Sequence, residues 1–459
     1  MKKLSLISIL ILVLNACGGQ ETAVSPTATL VSDVNIIDVR NGEVLEKQQV
    51  VVDSGIIHSI TPSVENKDAF ANRIDGEGKY LLPGLSEMHA HIPSPPTSQE
   101  RLEETLFLYL SNGVTTIRGM LGHPSHLELR RKVNEGEVLS PRIFTSSPSL
   151  NGNTTATPRA ADSLVTAYSK AGYDFLKIHP GIPLESFNTL VEKAREVGIP
   201  FAGHVPVAVG IRHALESEYA SIDHVDGFLE GLVPESTDVD PAANGFFGYN
   251  FTALADTAKI DELVSMAREH KVWIVPTQSL FERWFAPVTA ENLLQQPEMQ
   301  YMPASTLEDW KQRKLESTGP GSGFEESSWE QFVAIRRNLI KALQEGGHGI
   351  LLGSDAPQLF NVPGFSIHHE IAGMASAGLS PLQILQSGTM NPARFFGMED
   401  KFGVIEAGMA ADLLLLDANP LEDLTALKAL SGVMVRGQWL DRKSIDEKLA
   451  EIARNAKTR

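Results

Sequence analysis

The fold class this sequence predicts is a (β/α)8 TIM barrel carrying a small β-sandwich-like domain built from both termini. Three observations point to it. Residues 83–399 alternate short apolar runs with amphipathic helical runs, the pattern of parallel βαβ units. Residues 29–82 and 400–445 read instead as short β-like segments separated by turns, too little at either end to stand as a domain alone. Five of the middle strands end on a His, Lys or Asp beside a breaker, and strand ends are where barrels keep their active sites.

Taken in order, residues 1–17 are a targeting segment. Lys2 and Lys3 precede an apolar run, residues 4–14, that is too short to span a bilayer, and the run closes on Leu14-Asn15-Ala16-Cys17. This ending resembles a bacterial lipoprotein box. The resemblance implies cleavage before Cys17, lipid attachment to it and, with Gly18 following, sorting to the outer membrane on its periplasmic side. Residues 18–28 read as a tether. The β-like pattern then runs through LVSDVNIIDV, a turn at Asn41-Gly42, QQVVVDSGIIHSI and a last strand at 78–82, and it returns at 403–440.

The barrel strands are expected at the His89/His91 run and at 113–118, 142–146, 173–178, 199–203, 220–225, 272–276 and 349–353. Helices are expected at 99–111, 125–135, 160–171, 184–197, 209–218, 261–270 and 328–345, with two more at 367–377 and 381–389. A doubly wound open sheet is the alternative, but no GxGxxG follows the first strand to support it. Two connections exceed what a barrel needs: 227–259 after strand six, and 277–327 after strand seven, the latter with Trp284, Phe285, Tyr301 and Trp310. Long insertions at the carboxyl ends of strands are expected to be lids or specificity walls.

Composition narrows the partners. With 57 acidic against 39 basic residues the formal net charge is -18, which argues against nucleic acid and against an anionic membrane surface. A small-molecule substrate and a membrane contact through the lipid anchor alone are expected, and a homo-oligomer is left open. The one cysteine, Cys17, excludes intramolecular disulfides and thiolate clusters, so a metal would be held by His, carboxylate or modified Lys.

The candidate ligands follow from strand period. His89 and His91 are two apart, so a strand presents both on one face as a chelating pair. Lys177 and His179 end strand four, His204 strand five, His224 strand six and Asp355 strand eight. Without thiolates, zinc takes imidazole nitrogen and carboxylate oxygen, and a catalytic site keeps a position open for water. Arg118 ends strand two facing the barrel mouth, where it is expected to bind a carboxylate, orient a modified Lys177 or form a structural ion pair. His179, on the same face as Lys177, is expected either to be a loop residue or to stand beside the ligands or at the substrate; His368 and His369 are expected to be structural or at the pocket edge.

The motifs PGLSEMHAH, NGVTTIR, FLKIH, GHV, DHVDG, GSDAP, GLSPLQILQSGTMNPARFFG and GVIEAGMAADLLLLDANPLED occur in the order of the amidohydrolase superfamily, which the chain resembles from about Leu30 to Leu440. The lysine of YDFLKIH is similar to that of the prolidase- and imidazolonepropionase-like branch. That resemblance implies two divalent metal ions, zinc being the expected one. His89 and His91 would hold the first with Asp355, His204 and His224 the second, and a carboxylated Lys177 would bridge them. It further implies amide hydrolysis by a metal-bridged hydroxide, with Asp355 as general base and acid, on Xaa-Pro dipeptides or N-acyl amino acids. Cyclic amide, carbamate or lactone hydrolysis is the alternative within enzymes, and a non-catalytic solute- or metal-binding lipoprotein the alternative outside them. Two positions depart from the branch: Gly119 stands where an Asp is usual, and Val205-Pro206 follows His204.

Overall fold

The computed structural model describes residues 24–64 and 70–458. The leader, Cys17 and most of the tether lie outside the described residues. Fifteen strands follow in chain order among them. The first five are β1 (Thr29–Ile37), β2 (Val44–Asp53), β3 (Ile56–Pro62), β4 (Asn72–Asp75) and β5 (Tyr80–Pro83). The middle seven are β6 (Leu85–Ala90), β7 (Val114–Gly119), β8 (Arg142–Leu150), β9 (Phe175–Ile178), β10 (Phe201–Gly203), β11 (Ser221–Asp223) and β12 (Trp273–Val275). The last three are β13 (Leu413–Leu416), β14 (Leu430–Val435) and β15 (Gln438–Asp441).

The two chain ends share one sheet. Its order is β15-β14-β13-β5-β1-β2-β3, with β4 paired to β1, and the seam between the ends is the antiparallel pair of β13 with β5. Alternation places Val31, Val50, Leu81, Leu413 and Met434 in a shared apolar cluster, which is why neither end suffices without the other. A helix at Arg442–Ala456 follows β15, which the sequence reading did not include. Asp441 caps it by accepting from Ser444 N, and Ile445, Leu449 and Ile452 bury its inner face.

The barrel is the parallel sheet β6 through β12 in sequence order, with helices such as Leu184–Val197 and Glu326–Gly346 outside it. The expected eighth strand at 349–353 is not a regular strand. It still bridges the two edges: Leu351 N donates to Ile274 O at 2.8 Å, Met88 N to Leu352 O at 2.8 Å and Asp355 N to His89 O at 2.9 Å. A Cβ on Gly353 would lie 2.6 Å from Val275 Cγ1 and 2.7 Å from His89 N, so the passage of the segment between β12 and β6 depends on glycine. The buried carboxylate of Glu87 takes over part of the pairing, accepting from Ser354 N at 2.7 Å, Ser354 Oγ at 2.5 Å and His89 N at 3.0 Å. The seam that closes the barrel therefore also sets His89 against Asp355.

Candidate metal centre and active site

Each candidate ligand is delivered by the end of a barrel strand. His89 lies within β6 and His91 one residue beyond it; Lys177 lies within β9; His204 and His224 immediately follow β10 and β11; Asp355 follows the bridging segment. At His224 and Asp355 the backbone turns into the left-handed region, with φ of 65° and 66°. Val225, Phe247, Thr277, Leu359 and Phe360, all close to these two in sequence or in space, share that conformation. Non-glycine residues held there cost of order 1–3 kcal/mol each and gather where a site demands them.

Together the six ligand candidates and His179 line a cavity of about 210 Å³, whose outer wall is Phe246, Phe247, Leu280, Gln358 and Leu359. His91 Nε2 is 2.7 Å and His89 Nε2 3.5 Å from Asp355 Oδ1. His89, His91 and Asp355 offer donor atoms within 4.8 Å of one another, close enough to share one cation. The imidazoles continue as a chain, with ring centroids 4.6 Å apart between His89 and His224 and between His204 and His224, and 5.2 Å between His204 and His179.

The far nitrogens are already engaged. His204 Nδ1 faces Asp226 Oδ2 at 3.0 Å, His224 Nδ1 faces Thr277 Oγ1 at 2.8 Å and His179 Nδ1 faces Ser149 Oγ at 2.6 Å. Such partners fix ring orientation and leave Nε2 for a metal. Burial holds His89 and His224 well below the usual imidazole range and His204 down to about 3, so all three stay neutral ligands at pH 7. Burial likewise lowers Lys177, and its Nζ, 3.8 Å from Asp223 Oδ2, has no hydrogen-bond partner. His89 Nδ1 and Asp223 Oδ2 are also unsatisfied, 3.1 Å apart without the alignment of a hydrogen bond. Three buried polar atoms left unsatisfied at one point, beside neutral imidazoles and a carboxylate, make a donor set that fits divalent cations.

Arg118 sits one layer deeper than the barrel mouth expected of it and does not line the cavity. Its Nε donates to Met88 O at 2.6 Å, Nη1 to Ser221 Oγ at 2.9 Å and Nη2 to Asp223 Oδ1 at 3.0 Å, while Phe175 and Phe395 cover its faces. The carboxylate of Asp223 captures it inside the barrel, so its geometry is that of an ion pair that orients Asp223. His368 and His369 are held away from the cavity, by Asn112 and Glu298 respectively. Sequence reasoning passed over Asp223, Thr277, Gln358 and the two phenylalanines. Asp223 stood in the DHVDG motif, but strand parity puts it opposite His224; only the positive φ at His224 brings both inward. Gln358, whose Nε2 donates to Asp355 Oδ2 at 2.9 Å, carried no signal beyond its nearness to GSDAP.

A family model described as "Amidohydrolase family" matches residues 80–440. Imidazolonepropionase from Pseudomonas paraeruginosa is 25% identical over 391 residues, 82% of this chain and 89% of that protein. Among solved structures, bottromycin amidohydrolase superposes with a TM-score of 0.71 at 24% identity, covering 94% of this chain and 91% of its own. A Xaa-Pro dipeptidase with methionine in its active site superposes at 0.64 and 20% identity, covering 90% of this chain and 100% of its own. Those two likenesses speak to the fold.

Proposed function

The chain belongs to the amidohydrolase family, a hydrolase acting on carbon–nitrogen bonds, and from that premise we propose a two-metal enzyme that cleaves amide bonds in dipeptides of the Xaa-Pro kind or in N-acyl amino acids. The observation that carries the reading is the unpartnered Lys177 Nζ, buried beside His89, His204 and His224 with Asp355 opposite. His89, His91 and Asp355 would hold one cation, and His204 and His224 the other, zinc being the expected metal. When bound, the two cations supply a water acidified from a pKa of ~15.7 towards ~7 and a polarised carbonyl.

The chain's own residues do the rest. Asp355 is aimed by Gln358 Nε2 on Oδ2 and by His91 on Oδ1, so it can take the proton of the attacking water and return it to the leaving nitrogen. Lys177, once carboxylated, would add oxygen ligands to that donor set. An ammonium facing two dications is disfavoured by burial and by like charge, and the neutral amine can add CO₂ to give the carbamate R–NH–COO⁻ and a proton. The aromatic wall keeps bulk water from the reacting bond. The likeness to imidazolonepropionase supports cyclic amides as the second class to test, because the same core serves both and the loops decide.

Cys17 and its lipobox support a lipid anchor, with the barrel facing the periplasm. Among the described residues no helix is long and apolar enough to cross a membrane.

The test is carbon-13 NMR on protein prepared with zinc and labelled bicarbonate. A carbamate carbon that disappears in Lys177→Ala is expected, together with tight binding of at most one metal by that variant and partial rescue by short carboxylates. A fully active two-metal enzyme with an unmodified lysine would sink the carbamate.

A further inference from the structure

Three loops converge on the open side of the cavity, each leaving the end of a different barrel strand. The insertion after β11 contributes Phe246 and Phe247, the stretch after β12 contributes Leu280, and the stretch after Asp355 contributes Gln358 and Leu359. The first is a tip of sequence Gly-Phe-Phe-Gly at 245–248, and its conformation is demanding. Gly245, Phe247 and Gly248 have φ of 72°, 50° and 81°. A Cβ on Gly248 would lie 2.9 Å from Glu230 Oε2, and one on Gly245 would lie 2.6 Å from the Asn250 side chain. Asn244 Nδ2 locks the base of the tip by donating to Glu230 Oε1 at 2.7 Å.

That conformation sets the two rings against each other, centroids 4.6 Å apart, with both against Phe281 and both lining the cavity. Phe246 packs against Phe281, Trp284 and Phe285, with centroids at 5.5, 5.0 and 4.7 Å. Phe247 is turned inward, its ring 5.3 Å from that of His224 and 5.8 Å from that of His204. Leu359 is held by a similar device, at φ 49° and next to Phe360 at φ 69°. Two left-handed non-glycine residues on separate loops thus present apolar side chains to one space directly over the ligand set.

The charge lining that space is as informative as its shape. Among the described residues around it, Lys177 is the one basic side chain apart from the imidazoles and Asp355 the one carboxylate, and both belong to the proposed metal centre. What faces a substrate is Phe246, Phe247, Leu280 and Leu359, with two neutral polar groups, Gln358 and His179. A charged substrate side chain entering here would lose its hydration and find no partner, whereas an apolar one gains contact on every side.

Resting on the amide-hydrolase reading, we infer that the tip at 245–248, with Leu280 and Leu359, is the specificity wall. The residue flanking the scissile amide is then aromatic or branched aliphatic, and charged side chains are rejected.

The experiment uses the metal-loaded full-length protein and two matched series, N-acetyl amino acids and Xaa-Pro dipeptides, in which the variable residue is Phe, Leu, Asp or Lys and everything else is constant. In the series that turns over, kcat/KM for Phe and Leu should exceed that for Asp and Lys by about 10² or more, the scale on which apolar pockets and unpaired charges discriminate. Phe247→Ala should shrink the Phe-to-Asp ratio at least about tenfold, and Phe247→Arg should move it towards Asp. Metal content and melting temperature check that both variants are folded. A wild-type ratio near one, a preference for a charged residue, or ratios unchanged in both folded variants would overturn the wall. If neither series is cleaved, the dipeptide and N-acyl amino acid reading fails by itself, and selectivity is read from calorimetric binding of the same compounds: tighter binding of the Phe and Leu members, weakened in Phe247→Ala, sustains the wall, and equal affinities overturn it.

Discussion

Asp355 combines three demands that one side chain rarely meets. It must lie within reach of a cation, accept a proton and keep a fixed aim, and here His91, Gln358 and the backbone bond of its own N–H to His89 O supply the aim. Asp355→Asn retains an oxygen donor and loses the proton acceptor. Metal content should fall modestly while kcat drops by roughly 10² to 10⁴, measured on metal-loaded protein with whichever amide is turned over. Near-normal turnover would move the base elsewhere, with His179 the neighbour to examine next. The candidate ligands were legible because each ends an apolar strand beside a breaker. Asp223 and Thr277 were not, because they reach the site through backbone turns at His224 and Thr277 that no side-chain period encodes.

The loop after β12 shows how one element can be held by another far away in the chain. The helix Ser366–Ser376 inserts Glu370, whose two oxygens accept from Gln278 N at 2.9 Å and Ser279 N at 2.8 Å. These are first-turn donors of the short helix Gln278–Glu282, which carries Leu280 to the cavity wall. Burial pushes the Glu370 carboxyl up to about 7, above its ordinary 4.5, so the fold binds that proton more tightly than the unfolded chain. The stabilisation is complete below about pH 4.5 and is lost as pH rises through about 7. Thermal melting of metal-free protein should therefore weaken from pH 4.5 to 7.5 more steeply in the wild type than in Glu370→Gln, and parallel curves would show that Glu370 does not titrate in this window. The crossover helices were legible from period, and Leu184–Val197 agrees at both ends, but the helix Ala304–Thr318 inside the insertion at 277–327 was not. The apolar run at 349–353 predicts a strand, and in the structure the Glu87 side chain takes the N–H groups of Ser354 and His89 at the end of that segment.

On the scale of the molecule, the sheet made from both chain ends and the barrel are separate layers joined at β5, which passes straight into β6 across Gly84. A Cβ on Gly84 would lie 2.0 Å from Thr115 Oγ1, so the passage from one layer to the other depends on glycine. The chain's beginning is thus tied into the sheet at β1, and a lipid on Cys17 would hold the barrel close to a membrane through a short tether. Cys17→Ser should release the protein into the soluble fraction or leave its leader uncut, and fractionation with membranes like the parent would end the anchor reading.

By itself the sequence determined the barrel, the two-ended sheet and which strand-end residues would meet in one cavity, because strand period and breakers are local signals and each of these residues sits where a local signal ends. Tertiary structure alone decided the rest. It sent Arg118 inward to Asp223 rather than to a substrate, used Glu87 as a clip where a ladder was expected, and turned Phe247 over His204 and His224. Each of these depends on a contact between residues distant in the chain or on a φ that only surrounding packing can hold, and neither is written in the order of neighbouring residues.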